Sequence, residues 1–446
     1  MPADALSPFS TMSGPRLRTA AAAIAVCLGS LAACGPVTEY DVVLRNGTLV
    51  DGTGLDRFVG DVGIRNGRIV AVGDIGRFRA AEDLDVTGLF VAPGFVNLHS
   101  HDRLGAIATA ENLLTQGVTT IILNADGGGP LDVAAQLAEA EAAGLAVNVG
   151  ANIGFNTAWS AVNGSADVRP TRDGIAEMGR LVEQGLRDGA WGVSAGLDYK
   201  PAYFATVDEA SEVLAGLGPW RSVFTNHDRL TPESGFSSML GMQETVAIGE
   251  ASGLMPVITH MKIQGREQGT SDQVLAMMNA ATARGTYTAA DAYPYLAGQT
   301  SLAALIIPGW AQDGGSEAMI RRFDDPALRA RIIAEADEAL AARFGGPGGV
   351  FLPQSQRELT DVMVEMGVRS GGEAVVRLLQ EEMRGAILRF GSEDDLRAIL
   401  THPTTSIACD CDATTASVGH PRAWGTFPKV LGRFVRDAGC HGRRRS

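Results

Sequence analysis

Between residues 94 and 408 one pattern recurs eight times: a short run of mostly apolar and small residues that stops at polar side chains. The runs are Gly94 to Leu98, Thr119 to Leu123, Ala146 to Val149, Trp191 to Ala195, Ser222 to Thr225, Met255 to Thr259, Thr286 to Ala290 and Thr405 to Ala408. Helix-length segments lie between most of them, including Leu131 to Ala143, Arg172 to Arg187, Val207 to Leu217 and Ser271 to Arg284. Buried parallel strands with crossover helices have this texture, because both faces of such a sheet are covered. Eight units predict an α/β fold of the (β/α)8 barrel (TIM barrel) type, in preference to a doubly wound sheet. The seventh and eighth runs stand far apart, so an insertion at about 296–402 is expected, helical over Asp325 to Arg343 and Gly372 to Phe390 and set at the barrel mouth.

Residues 38–92 read differently. Tyr40 to Gly47 and Asp61 to Gly73 alternate with period two, and each contains an Asn-Gly pair. Short antiparallel strands joined by tight turns are expected there, in a small β domain. The chain has 446 residues, 45% of them hydrophobic, and a formal charge of −14. Such a composition excludes disorder, and its acidity leaves no electrostatic footprint for nucleic acid.

At the N-terminus Arg16 and Arg18 precede an apolar run from Thr19 to Ala33 that is short for a bilayer span but suits a signal-peptide core. It closes on Leu31-Ala32-Ala33-Cys34-Gly35, which resembles the lipobox of bacterial lipoproteins. Residues 1–34 are therefore expected to be an export signal, with a lipid anchor on Cys34 as the membrane contact and the bacterial cell envelope, periplasmic face, as the location. Of the remaining cysteines, Cys409 and Cys411 are separated by one residue, a spacing that predicts no disulfide between them.

In a barrel of this kind chemistry sits at the C-terminal ends of the strands. There the chain places His99 and His101 after run one, Asp126 after run two, His227 after run five, His260 after run six, Asp291 after run seven and Asp410 after run eight. Two histidines at i and i+2 on a strand project to one face and reach one ion. Imidazoles with carboxylates are a ligand set for zinc and similar divalent ions, so one or two such ions are expected on His99, His101, His227 and His260, with the Asp126 and Asp410 carboxylates on the same rim. His402, His420 and His441 are taken as structural. Lys200 is a remote candidate for a bridging lysine, with a solvated loop side chain as the simpler expectation.

The run Pro93-Gly94-Phe95-Val96-Asn97-Leu98-His99-Ser100-His101 resembles the first-strand motif of the amidohydrolase superfamily. Gly192 to Tyr199, Thr259-His260-Met261-Lys262, Asp291 to Tyr295 and His420 to Phe427 are similar to the N-acyl-D-amino-acid deacylase (D-aminoacylase) branch. The resemblance spans about 40–438 and implies a β-sandwich portion at 38–92 beside the metal-dependent barrel at 93–438. It implies that His99 and His101 hold one metal position and His227 and His260 the other. Asp126 stands where the family has a bridging cysteine, a harder donor that shifts metal preference. Asp410 takes the place of the catalytic aspartate.

A divalent ion lowers the pKa of water and polarises a carbonyl. Asp410 is then the base for hydrolysis of an N-acyl-D-amino acid, a small-molecule partner whose free carboxylate would meet Lys262 and Tyr293. A cyclic amidase (dihydroorotase or hydantoinase), a dipeptidase, or a truncated inactive metal-binding lipoprotein are the alternatives. The last is motivated by residues 439–446, a basic tail where the family pattern continues into further strands; an open-edged small domain is the expectation.

Overall fold

The computed structural model describes residues 37–416 and 419–437. Two compact units divide after Pro93. The first is one mixed sheet of β1 (Thr38–Leu49), β2 (Phe58–Arg65), β3 (Arg68–Gly73), β4 (Phe78–Asp85) and β5 (Phe90–Val91). Its order is β3-β2-β1-β4, with β5 also on β1. Pairing is antiparallel for β1 with β2 and for β2 with β3, but parallel for β1 with β4 and β5. Asn66-Gly67 makes the expected tight turn between β2 and β3, with both residues left-handed. Asn46-Gly47 corrects the expectation, since no turn forms there. The register slips between Leu44 and Gly47, and Thr48 and Leu49 continue the pairing with β2. A bulge absorbs the positive φ of Asn46 (60°) without reversing the chain.

The second unit carries β6 (Phe95–Asn97), β7 (Val118–Leu123), β8 (Asn148–Ala151), β9 (Ile153–Gly154), β10 (Gly192–Gly196), β11 (Val223–His227), β12 (Met255–Ile258) and β13 (Ala289–Ala292). The insertion follows with β14 (Ala297–Ser301), β15 (Val350–Leu352), β16 (Arg357–Glu358) and β17 (Gly385–Arg389), and β18 (Thr405–Ile407) comes last. Only Asn152 interrupts β8 and β9, which serve as one barrel strand. β6-β7-β8 and β9-β10-β11-β12-β13-β18 are parallel ladders, and a parallel bridge from Ser100 to Cys411 joins β18's end back to β6's. The barrel is thus a closed (β/α)8 ring. Its core includes Ile121, Leu123, Ile153, Phe155, Trp159, Val193 and Phe224, all buried.

Two segments differ from expectation. Strand seven forms at Ala289–Ala292 because the preceding threonines close the helix Ser271–Ala283. Thr286 N donates to Ala281 O and Thr288 N to Thr282 Oγ1. The insertion is helical over Pro326–Phe344, but the stretch expected to be helical from Gly372 splits into a helix, Gly371–Glu381, and β17. Ala386, Ile387 and Leu388 are buried and pair with β14, a four-stranded sheet in the order β14-β17-β15-β16. The insertion has a core of its own, with Leu302, Phe323, Leu340, Val375 and Leu388 fully or nearly fully buried.

Candidate metal and substrate site

Strand ends supply the site. His227 is the last residue of β11, while His99, His260 and Asp410 stand two or three residues beyond β6, β12 and β18. Asp126, His260 and Asp410 all have left-handed backbones, with φ of 53°, 33° and 49°. For non-glycine residues this conformation is strained, and it persists where the surroundings over-determine it. At Asp126 the surroundings are visible. Gly127 N donates to Ser194 Oγ (3.1 Å), and that hydroxyl donates to Asn124 O (2.5 Å). A side chain at Gly196 would come within 2.5 Å of Asp126 O, so the glycine is what lets this turn lie against β10.

The result is a compact ring of donors. Asp126 Oδ1 lies 3.5 Å from His99 Nε2 and 3.7 Å from His260 Nε2, while its Oδ2 lies 3.6 Å from His101 Nε2 and 3.4 Å from His227 Nδ1. Asp410 Oδ1 meets His101 Nε2 at 3.0 Å and His99 Nε2 at 3.5 Å. Three overlapping groups, His99/His101/Asp126, His99/His260/Asp410 and Asp126/His227/His260, each bring one ligand atom per residue within 4.8 Å of the others. All six residues expected from the sequence are therefore together.

His99 Nε2, Asp126 Oδ1, His227 Nδ1 and His260 Nε2 are buried and have no hydrogen-bond partner. Buried polar atoms are rarely left so, and four such atoms converging on one point fit the coordination of a cation. The electrostatics agree. Burial would lower the His99 imidazole, yet Asp126, Asp291 and Asp410 together hold it well above the usual histidine range. Burial would raise the Asp410 carboxyl, but Arg422 and His99 hold it well below the usual carboxylate range. Asp126 is likewise held low against its burial, by His99 first and by the neighbouring imidazoles of His227 and His260. The site demands positive charge.

Lys262 and Tyr293 face the same cavity of about 470 Å³, whose wall also includes Tyr199, Gln299, Thr300, Leu388, Phe390 and Arg422. Lys262 Nζ donates to Tyr293 OH at 2.7 Å and lies over the Phe390 ring at 4.8 Å. No carboxylate pairs with it among the described residues. Lys200 stands apart. It is half-buried rather than solvated, donates to the carbonyls of Asp198 and Ala304, and lies over Tyr203 at 4.1 Å. Its amine is pushed down to about 8, by burial first.

Three contributors had no role assigned from the sequence, although Asp291 was placed at a strand end. Arg422 is buried and donates to Asp410 Oδ2 at 2.5 Å and to Gln299 O at 3.2 Å. Its motif was noticed, but nothing local reveals that its guanidinium reaches strand eight. Asp291 accepts from His260 N at 2.7 Å through Oδ1 and lies 3.5 Å from His99 Nδ1 through Oδ2, so it orients two donors. The third is a correction: Cys409 and Cys411, on either side of Asp410, form a disulfide. The left-handed residue between them turns the chain so that their Cα atoms lie 5.1 Å apart, within bridging range. His402 is remote, bonded to Asn279 and Thr404. His441 and Cys34 lie outside the described residues.

No family model matches the chain. A D-aminoacylase from Alcaligenes xylosoxydans xylosoxydans is 31% identical over 90% of this chain and 80% of that protein. An N-acyl-D-glutamate deacylase from Bordetella bronchiseptica, solved with zinc and a phosphonate mimic of the tetrahedral intermediate, superposes with a TM-score of 0.74 at 26% identity, covering 91% of this chain and 83% of that one. A D-aminoacylase structure described for its binuclear metal center gives 0.73 at 30% identity, with the same two coverages.

Proposed function

Because the chain belongs to the D-aminoacylase family of amidohydrolases, we propose that it hydrolyses the amide bond of N-acyl-D-amino acids, releasing a carboxylic acid and a D-amino acid. The observation that carries this is the convergence of unpartnered histidine and aspartate atoms at the strand ends, beside a lysine that has no carboxylate partner among the described residues. Zinc is the ion this donor set suits. When bound, it polarises the scissile carbonyl and brings the pKa of water toward neutrality.

The protein's own residues supply the rest. Asp126 turns Oδ1 toward His99 and His260 and Oδ2 toward His101 and His227, so its carboxylate stands among all four histidines that would hold the metal. Asp410 takes the proton of the attacking water and delivers it to the departing amine as the C–N bond breaks. Arg422, at 2.5 Å, keeps that carboxylate ionised and immobile. Lys262 and Tyr293 hold the substrate carboxylate, which positions the amide over the histidines.

The test is amine release from paired N-acetyl-D- and N-acetyl-L-amino acids after chelation and re-addition of zinc. Zinc-restored turnover of the D isomers is expected. Folded, zinc-loaded protein that turns over neither isomer, or that prefers hydantoins or dipeptides, would overturn the assignment.

We further propose that the protein is exported and anchored through a lipid on Cys34. The charge of Arg16 and Arg18, the apolar run Thr19 to Ala33 and the small residues before Cys34 support this reading. Labelling of intact cells with radioactive palmitate should mark the protein and spare a Cys34→Ala variant; equal labelling of both would refute it.

A further inference from the structure

The insertion reaches the metal centre through a buried ion pair. β10 and β11 run side by side with Gly196 opposite His227, so Asp198, two residues further on, stands against the end of β11. Its Oδ2 lies 3.9 Å from His227 Nε2, the ring nitrogen opposite the one that faces Asp126. The same oxygen accepts from Arg343 Nη2 at 2.8 Å, and both side chains are buried. Asp198 Oδ1 accepts from Leu230 N at 3.4 Å. Arg343 lies in the last turn of the insertion helix Pro326–Phe344, 145 residues along the chain.

We infer that Asp198, fixed by Arg343, is a positioning residue for His227. This rests on the reading of the site as a zinc centre. A neutral imidazole carries one proton, and the nitrogen left bare is the one that can bind an ion. A carboxylate on the Nε2 side favours the proton on that nitrogen and leaves the Nδ1 lone pair for the ion. Among the described residues, Asp198 is the carboxylate within 4 Å of that nitrogen. Arg343 supplies a second restraint. Its guanidinium fixes the carboxylate on the Nε2 side of the ring. The insertion thereby sets the geometry of one ion position, the one built from Asp126, His227 and His260.

The experiment measures zinc affinity by competition with a chromophoric chelator, alongside melting of the metal-free protein, for wild type, His227→Ala, Asp198→Asn, Asp198→Ala, Arg343→Met and the double variant Asp198→Leu/Arg343→Met. Asp198→Ala should weaken one zinc position by ~10- to 100-fold and leave the other unchanged. Asp198→Asn, which keeps an acceptor oxygen, should fall between it and wild type. Arg343→Met, which retains the carboxylate, should weaken zinc less than Asp198→Ala does even if it melts as low. The double variant removes both buried charges, so its melting should recover while its zinc affinity stays low. Recovery of wild-type affinity in the double variant would show the pair to be structural only and overturn the inference. If His227→Ala itself leaves zinc binding intact, the zinc-centre reading falls instead.

Discussion

His420 is buried beside the site as a neutral imidazole, and its substitution by asparagine should flatten the acid limb of stability. Its backbone N–H donates to Gln299 Oε1 at 2.8 Å, its Nδ1 accepts from Arg422 N at 3.0 Å, and its ring faces Tyr293 and Tyr295. Burial first, then Arg422, pushes its pKa down from 6.5 to about 3, with Asp410 opposing and Lys262 reinforcing. A depressed folded pKa means that this histidine's contribution is fully present above about pH 6.5 and is lost as pH falls toward about 3, because the unfolded chain takes up the proton first. Between about pH 7.5 and about pH 5 the loss amounts to about 2 kcal/mol, at 1.36 kcal/mol per pKa unit. His420→Asn keeps an acceptor in place of Nδ1 and removes the titration. Urea unfolding of both proteins at the two pH values isolates the effect, since every other titrating group is common to the pair. The stability advantage of wild type over variant should shrink by about 2 kcal/mol on acidification. Two stability curves that stay parallel across that interval would refute the reasoning.

Lys262→Ala should raise KM for N-acyl amino acids more than for neutral amides of the same acyl group, and equal effects on both would remove Lys262 from carboxylate recognition. Replacing Cys409 and Cys411 by alanine should cost no more than about 1–2 kcal/mol by the loop-entropy argument, because the bridge closes a loop of three residues. Alkylation of the unfolded protein before and after reduction, read by mass spectrometry, should show two thiols released; both cysteines alkylated without reductant would refute the bridge. Gly265→Ala combines a left-handed φ of +56° with a collision between the new Cβ and Ala342 O. A loss of about 1–3 kcal/mol in chemical unfolding is expected, and a neutral result would show that the loop relaxes freely.

The barrel and the ligands were legible for one reason: each apolar run records where a strand is buried, and the polar residue that ends it records where the barrel opens. His99, His101, His227, His260, Asp126 and Asp410 all announce themselves in this way. Boundaries were less legible where a residue type serves two purposes. Thr286 and Thr288 look like strand residues but satisfy the end of the preceding helix. Ala386 to Leu388 follow a helix with enough apolar character to seem its continuation, and only their pairing with Ala297–Ser301 makes them a strand. Asn46-Gly47 and Asn66-Gly67 are chemically the same pair, and the neighbouring strands alone decide that one bulges and the other turns.

What remained hidden is the layer that holds the ligands. Arg422 reaches Asp410, Arg343 reaches Asp198, and Asp291 reaches both His99 and His260; each contact joins different strands or loops, and no local periodicity encodes it. The physical demand for such a layer was foreseeable even so. Three of the ligands sit in strained left-handed conformations, and each such residue costs about 1–3 kcal/mol unless its surroundings fix it. Carboxylates buried at the centre of the barrel likewise need a cation or fixed dipoles nearby. A chain that buries Asp126, Asp198, Asp291 and Asp410 against one ring of histidines must therefore place guanidinium groups or metal ions among them. In this fold the helix Arg422–Lys429 supplies one arginine and the insertion the other.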